Sequence, residues 1–502
     1  MTLAPALAES KTRGVARGGL ANMVGSALAG GTGVIVTWIV ARALGTEQAG
    51  AFFAATAAFV LGGGLAKLGT PTGLVYWLAR LRATDRDHLL GTCLRTGLIP
   101  VFVLSFVLAG ALWWWAPAFD EHAAGLRMLA VFLPFQAMTD TLLTATRGYK
   151  AMRPTVALDR VVRSVLQLLC VGTAALLFTS SLPALAFAWA IPYVPVTVLA
   201  AFALRRVYRS GKPRERSSRG SERLALRRDF WRFTGPRALA SVAQLALQRV
   251  DVLLVAALGG LAAAAVYAVA GRFVVLIQFA NQGISQSVQP RLAEALAVGD
   301  RATASHLYQT ATGWLVLVTW PINLLVIIYA PVYLRIFGGH YTSGAPVVVV
   351  LACAMLVATG CGMVDMVLAM AGRTSWNLLN VLVALIVTIG LDVLLVPAYG
   401  ALGAAIGLAC AMVANNLLPL VQVARSARLH PFGPGTLAAG TLSIACFGVL
   451  PLAVTAVAGE GAIGLGLSTA LGAIAFAGGA WLLRHRLALH AFKPRQPSRG
   501  SL

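Results

Sequence analysis

Residues 377–423 read NLLNVLVALIVTIGLDVLLVPAYGALGAAIGLACAMVANNLLPLVQV. Two apolar runs, 377–396 and 401–423, flank the short turn Pro397–Gly400. Each run has about the 20 residues that a helix needs to cross a hydrocarbon layer. Asp392 is the one charged residue in the stretch. So short a link sends the chain straight back, so the stretch predicts a helical hairpin inside a bilayer. The rest of the chain repeats the pattern. Of 502 residues, 58% are hydrophobic and 11% charged, with a mean hydropathy of +0.79. Soluble domains carry about 25% charged residues. A soluble enzyme, a disordered chain and a fibrous protein are therefore excluded.

Working outward from 377–423, fourteen runs qualify as spans: 18–42, 48–68, 90–115, 126–146, 156–178, 184–206, 237–258, 263–288, 308–330, 345–370, 377–396, 401–423, 435–458 and 460–483. The second is glycine-rich, and 65–78 reads as its kinked continuation. Lys11, Arg13 and Arg17 resemble the basic start of a signal peptide, but the apolar run behind them is too long for one, so it reads as a retained first span.

The net charge of +23 tests this topology. In a soluble chain it would suggest nucleic acid; here no nucleic-acid partner is expected, because Lys and Arg gather in cytoplasmic loops. With the N-terminus inside, three of the forty basic residues fall outside: Arg42, Arg127 and Arg335. Two, Arg249 and Arg272, lie deep in spans, and the rest mark one side. The expected location is the cytoplasmic membrane, multi-pass, with both termini cytoplasmic. Six cysteines sit in or beside apolar runs without a C-x-x-C pair or a His cluster. No metal, cofactor or disulfide framework is expected.

Residues 205–237 hold twelve of the forty basic residues. RSGKPRERSSRGSER reads as a polar linker beside anionic membrane lipids. The sequence around it repeats. Ala43-Leu44-Gly45, Phe53-Ala54 and Phe59 recur 214 residues later as Ala257-Leu258-Gly259, Tyr267-Ala268 and Phe273. Met138, Asp140 and Leu143 recur 225 residues later as Met363, Asp365 and Leu368. The fold class is thus an all-α integral membrane protein of about fourteen helices, as two parallel-repeat six-helix lobes plus two C-terminal helices. The expected division is an N-lobe over 1–206, a basic linker over 207–236, a C-lobe over 237–424, two helices over 425–484 and a basic tail over 485–502. Two such lobes form a transporter layout working by alternating access.

The motifs add a resemblance. ARALGTEQAGAFFAATAAF (41–59), AKLGTPTGLVYWLAR (66–80), TRGYKAMRP (146–154), PVYLRIFGGHYTSGAPVVVVLA (331–352) and the run from Ala369 to Ala411 carry it. Over roughly 15–425 the chain resembles the polysaccharide and lipid-linked oligosaccharide flippases of the multidrug/oligosaccharidyl-lipid/polysaccharide (MOP) exporter superfamily, which share a MATE-like fold. Asp392 departs from the family's usual apolar residue or Asn. The resemblance implies flipping of a polyprenyl-diphosphate-linked glycan for cell-surface polysaccharide synthesis, with glycan polymerase or assembly proteins as possible partners. The alternatives on the same fold are a cation-coupled drug or metabolite antiporter and a flippase of the peptidoglycan lipid precursor.

Such a cargo needs a wet, cationic path, because its diphosphate and sugars are costly in hydrocarbon. Arg249 and Arg272 are candidates to clamp the diphosphate, since guanidinium forks match phosphate oxygens. Asp251 is the alternative partner for either arginine. Lys67, Arg160 and Arg163 lie where they could draw in the headgroup, the last two one turn apart on one helix face. Asn22, and Gln278 and Gln282 in the stripe Gln278–Gln282–Gln286–Gln289, suit sugar hydroxyls. Asp140, Asp251, Asp365 and Asp392 are candidates for ion coupling or an ion-pair gate. The glycine runs at 30–33 and 62–64 lack the lysine and strand of a nucleotide loop, so the chain is read as a transporter and not an enzyme.

Overall fold

A computed structural model describes residues 25–117, 123–149, 151–178, 181–210 and 220–487. The regular elements among these residues are all helices, with no strand. Fourteen helices are long and apolar enough to cross a membrane: Gly25–Ala43, Thr46–Ala83, Asp87–Trp115, Ala123–Gly148, Thr155–Leu177, Leu182–Ser210, Gly220–Leu258, Leu261–Ser285, Arg301–Ile328, Gly339–Met370, Ser375–Tyr399, Ala401–Ser426, Pro434–Ala458 and Ala462–Leu482. They are numbered here as spans one to fourteen. Each of the fourteen apolar runs of the sequence overlaps one of them. The chain is a multi-pass membrane protein.

Local chemistry sets the breaks. The second span is two helices, Thr46–Ala66 and Thr70–Ala83. Leu68 (φ 46°) and Gly69 (φ 66°) turn left-handed at the join. A Cβ at Gly69 would stand 2.7 Å from the Ala238 Cα, so a side chain there meets backbone. The expected kink at 65–78 is this break. Span nine opens on Asp300, whose carboxylate accepts the Thr303 N–H at 3.0 Å. That bond holds the Asp300 carboxyl below the usual carboxylate range.

The largest change from the sequence reading is the linker. Span six stays helical to Ser210, and span seven begins at Gly220, not 237. Residues 220–236 therefore continue the seventh span as an amphipathic helix. Its Leu226 and Phe230 are buried against Leu74, Trp77 and Leu78 of span two, Leu90 and Cys93 of span three, Leu143 of span four and Leu204 of span six. An apolar stripe runs through the arginines, and burying it stabilises the helix where composition alone predicts a loop.

The chain packs as two compact units. The first comprises 1–272 with 388–404, and the second comprises 273–387 with 405–502. This packing boundary does not follow the repeat boundary expected at 206–237. In the first unit, span two packs on spans seven and eight: a Cβ at Gly64 or Gly73 would meet Leu245 or Thr234 of span seven, and one at Gly50 would meet the Leu261 backbone at the start of span eight. Small residues permit such close approach of helix backbones. Residues 388–404 join this unit where Gly259 meets Val396 and Gly400.

The second unit has its own core. It gathers Val288 and Leu292, Tyr308, Met363 and Leu368, and Val423. Asn380 and Gln422 exchange amide hydrogen bonds at 2.8 and 2.9 Å. Span thirteen docks on span nine and span fourteen on span thirteen; the hydroxyl of Tyr329, just past span nine, meets that of Ser468 in span fourteen at 2.7 Å.

Candidate functional site

The polar residues of the first unit's spans form three local groups of direct contacts, around Lys67–Asp140, Arg163 and Asp251–Tyr267, that lie within electrostatic reach of one another. The first lies at the break in span two. Lys67 caps the helix end there, and its Nζ meets Asp140 Oδ2 of span four at 2.6 Å. The two residues lie 73 positions apart. Neither group is sealed off: their side chains keep 21% and 31% of their accessibility. Two expected functions, headgroup attraction at Lys67 and ion coupling at Asp140, thus meet in one ion pair.

The next station is Tyr193 of span six. Buried itself, it lies within electrostatic reach of Arg163, Asp140, Asp159 and Arg249. Arg163 also stands over its ring, 5.3 Å from the centroid. The arginine is held on both sides. Its Nε donates to Asp159 Oδ1 at 2.7 Å and its Nη1 to Gln167 Oε1 at 2.9 Å. Gln167 in turn donates to the Trp189 carbonyl.

Arg160 and Arg163 do not share a helix face as expected. Residues Thr155–Arg163 form a π-helix, whose wider turn rotates the two side chains apart. Arg163 turns to Tyr193, whereas Arg160 lies along Gly25 of span one.

From Tyr193 that reach extends to span seven. Arg249 is half-buried, and its Nε is buried without a hydrogen-bond partner. Asp251, two residues on and 5% exposed, forms no salt bridge with it. Asp251 instead accepts the Tyr267 hydroxyl of span eight and the Val252 N–H, the latter at 2.9 Å. The structural pairing of Arg249 with Asp251 that proximity in sequence suggests is thus replaced by Tyr267.

Asp392 of span eleven completes the group. It is fully buried, and both of its carboxylate oxygens lack a partner. It lies within electrostatic reach of Asp251 and Tyr267. Thr388, one turn earlier on the same helix, also has its hydroxyl buried and unpartnered. A lone carboxylate at such a place is stable only when protonated or beside a cation. The Arg272 guanidinium stands 5.7 Å from the Phe53 ring centroid.

The remaining expected residues fall outside these groups. Asp365, Gln278 and Gln282 are exposed residues of the second unit, and the Asp365 backbone carbonyl accepts the Asn377 side chain at 2.9 Å. Asn22 lies outside the described residues. The sequence reading missed Tyr193, Tyr267, Gln167 and Thr388 as members of the site. Tyr267 left a signal, because the repeat aligns it with Phe53, and the hydroxyl is the difference. Among the described residues no group of three His, Cys, Asp or Glu side chains gathers as a metal would require, and all six cysteines are free thiols.

Comparison with known proteins places the fold. The sequence matches the profile of the polysaccharide biosynthesis protein family over residues 15–296 and that of the MatE family over 236–401. No curated protein matches by sequence. The fold is similar to that of a lipid II flippase MurJ in an inward closed conformation, with a TM-score of 0.72 and 12% identity. That match covers 92% of this chain and 98% of the other. It is also similar to an inward-facing multidrug resistance MATE transporter of the MOP superfamily, at a TM-score of 0.60 and 14% identity, covering 78% and 92%. A eukaryotic MATE transporter, AtDTX14, aligns at a TM-score of 0.56 and 15% identity, covering 85% and 98%. At these identities the likeness concerns the fold alone.

Proposed function

The chain belongs to the polysaccharide biosynthesis protein family, within the MOP superfamily, and from that premise we propose that it flips a polyprenyl-diphosphate-linked oligosaccharide across the cytoplasmic membrane. Its families and structural neighbours are transporters and flippases, not enzymes. The glycan serves cell-surface polysaccharide assembly, and both termini of the carrier are cytoplasmic.

The observation that carries this reading is Arg249. A guanidinium inside the apolar part of a span costs up to roughly 2.5–3.5 kcal/mol on insertion scales. No carboxylate forms a salt bridge with it, and its Nε has no protein partner. A diphosphate oxygen offers what that donor lacks. An antiporter for cationic drugs would gain nothing from a cation at this place. Asp251 and Asp392, with Tyr267 between them, act as the coupling site. Taking up and releasing a proton or monovalent cation there changes the charge beside Arg249, and with it the hold on the anion.

Reconstitution of the full chain with fluorescent lipid-linked oligosaccharide tests the proposal. Arg249→Glu is expected to lower the flipping rate at least about tenfold, the effect of losing a charge-assisted bond and adding repulsion. Unchanged flipping would remove Arg249 from the path. Faster flipping of the peptidoglycan lipid precursor than of the oligosaccharide carrier would reassign the cargo.

A further inference from the structure

A second cationic site lies in the first unit, outside the Lys67–Asp140, Arg163 and Asp251–Tyr267 groups. A cavity of about 590 Å³ opens between the end of span two and the linker portion of span seven. Its walls include Trp77, Arg80, Arg86, Asp229, Arg232 and Phe233. Three guanidiniums thus share the space with one carboxylate, and no salt bridge joins Asp229 to any of them. Arg80 is oriented by donating to the Tyr76 hydroxyl at 3.1 Å and by standing over Trp77, 5.2 Å from its ring. Arg80, Arg86 and Arg232 come from two helices and the turn between spans two and three, so they approach the space from different directions.

The aromatic wall is also specific. Phe233 stacks on Tyr76 at 4.0 Å between centroids and 16° between planes, and Arg237 caps Phe233 at 3.8 Å. Tyr76 remains 39% exposed. Aromatic rings with one wet and one apolar side belong at the headgroup level of a bilayer. Basic pockets between membrane helices at that level suit phosphate heads. A phosphate accepts hydrogen bonds in several directions, which fits three separated guanidiniums better than a planar carboxylate does.

We propose that this cavity binds the phosphodiester head of an anionic phospholipid from the adjacent leaflet. Three arginines and Asp229 leave the cavity two net positive charges; the bound head offsets one of them and fastens the linker helix to the end of span two. This site is independent of which glycan is carried.

Native mass spectrometry of the purified full chain with dioctanoyl phosphatidylglycerol tests it. The wild type is expected to retain one tightly bound phosphatidylglycerol. The Arg80→Gln/Arg86→Gln/Arg232→Gln variant should bind it at least about tenfold more weakly. Arg205→Gln/Arg206→Gln/Arg228→Gln removes the same charge outside the cavity and should leave binding unchanged. Equal weakening in both triple variants, or none in the cavity variant, overturns the site. Two competitors separate the sources of phosphate. Displacement by inorganic phosphate at equal concentration would make it a free-phosphate site and overturn the lipid. Equal retention of dioctanoyl phosphatidylcholine would overturn selection for an anionic head. If the triple variant does not fold, Arg86→Gln alone, on an exposed turn, should weaken binding at least about threefold; full retention overturns the proposal.

Discussion

Asp140 and Asp365 occupy corresponding places in the two repeats, yet the fold uses them differently. Asp140 lies in an unbroken span and is closed by Lys67 at 2.6 Å. Asp365 lies just past a break in span ten, is exposed, and no salt bridge among the described residues reaches it. The inequality reverses elsewhere. Thr37 and Phe53 are the first repeat's counterparts of Asp251 and Tyr267, at the 214-residue offset. Thr37 donates only to the Gly33 carbonyl of its own helix. The apolar register is shared, since Phe59 and its counterpart Phe273 are both buried. The difference teaches that one hydrophobic frame carries two unlike electrostatic patterns. One repeat supplies a direct ion pair, and the other supplies acids that form no salt bridge among the described residues.

The comparison breaks first, and with the largest effect, at the unpaired acids. Asp392→Asn should cut gradient-driven flipping about 5- to 150-fold, the usual span of a coupling free energy. Thr37→Val, in the other repeat, should leave it within about twofold. Equal losses, measured in proteoliposomes with an imposed ion gradient, would mean that the repeats are not electrostatically distinct.

A smaller effect is expected at the ion pair. Asp140→Asn leaves Lys67 uncompensated and should cost roughly 1–3 kcal/mol, below the range for a fully sealed pair. Asp365→Asn should stay within about 0.5 kcal/mol. Thermal unfolding in detergent reads both. The swap Lys67→Asp with Asp140→Lys should recover most of the loss, which a purely steric role for either residue would not allow.

The smallest effect separates the two breaks. Gly69→Ala, at φ 66° against the Ala238 backbone, should destabilise by about 1–2 kcal/mol. Gly271 ends the first helix of span eight at φ −78°, so Gly271→Ala should change stability by less than about 0.5 kcal/mol. The same unfolding series checks this pair.

Much of this was legible in the sequence. Each span announces itself as an apolar run of membrane length, and a charge inside such a run, as at Arg249, Asp251 or Asp392, stands out against hydrocarbon. Their partners were not legible. Lys67 and Asp140 lie in different spans, and nothing local joins them. Proximity favoured Arg249 with Asp251, but the Tyr267 hydroxyl donates to that carboxylate instead. The linker helix was hidden for another reason. Its arginines dominate the composition, while two buried residues, Leu226 and Phe230, decide its conformation.

One consequence follows from the length of span seven. A continuous helix of 39 residues is about 58 Å long at 1.5 Å per residue. The hydrocarbon layer is about 30 Å thick, so nearly half of the rod stands clear of it. Asp251 rides toward one end, and Arg223, Arg227, Arg228 and Arg232 ride toward the other. Tilting the rod by about 10° about its midpoint would carry each end through about 5 Å, a displacement that follows from the length alone. Pro236 stands near the middle of the rod, the position at which a helix lacks a backbone hydrogen bond and bends, so the rod divides into an inner arm bearing the acids and an outer arm bearing the arginines.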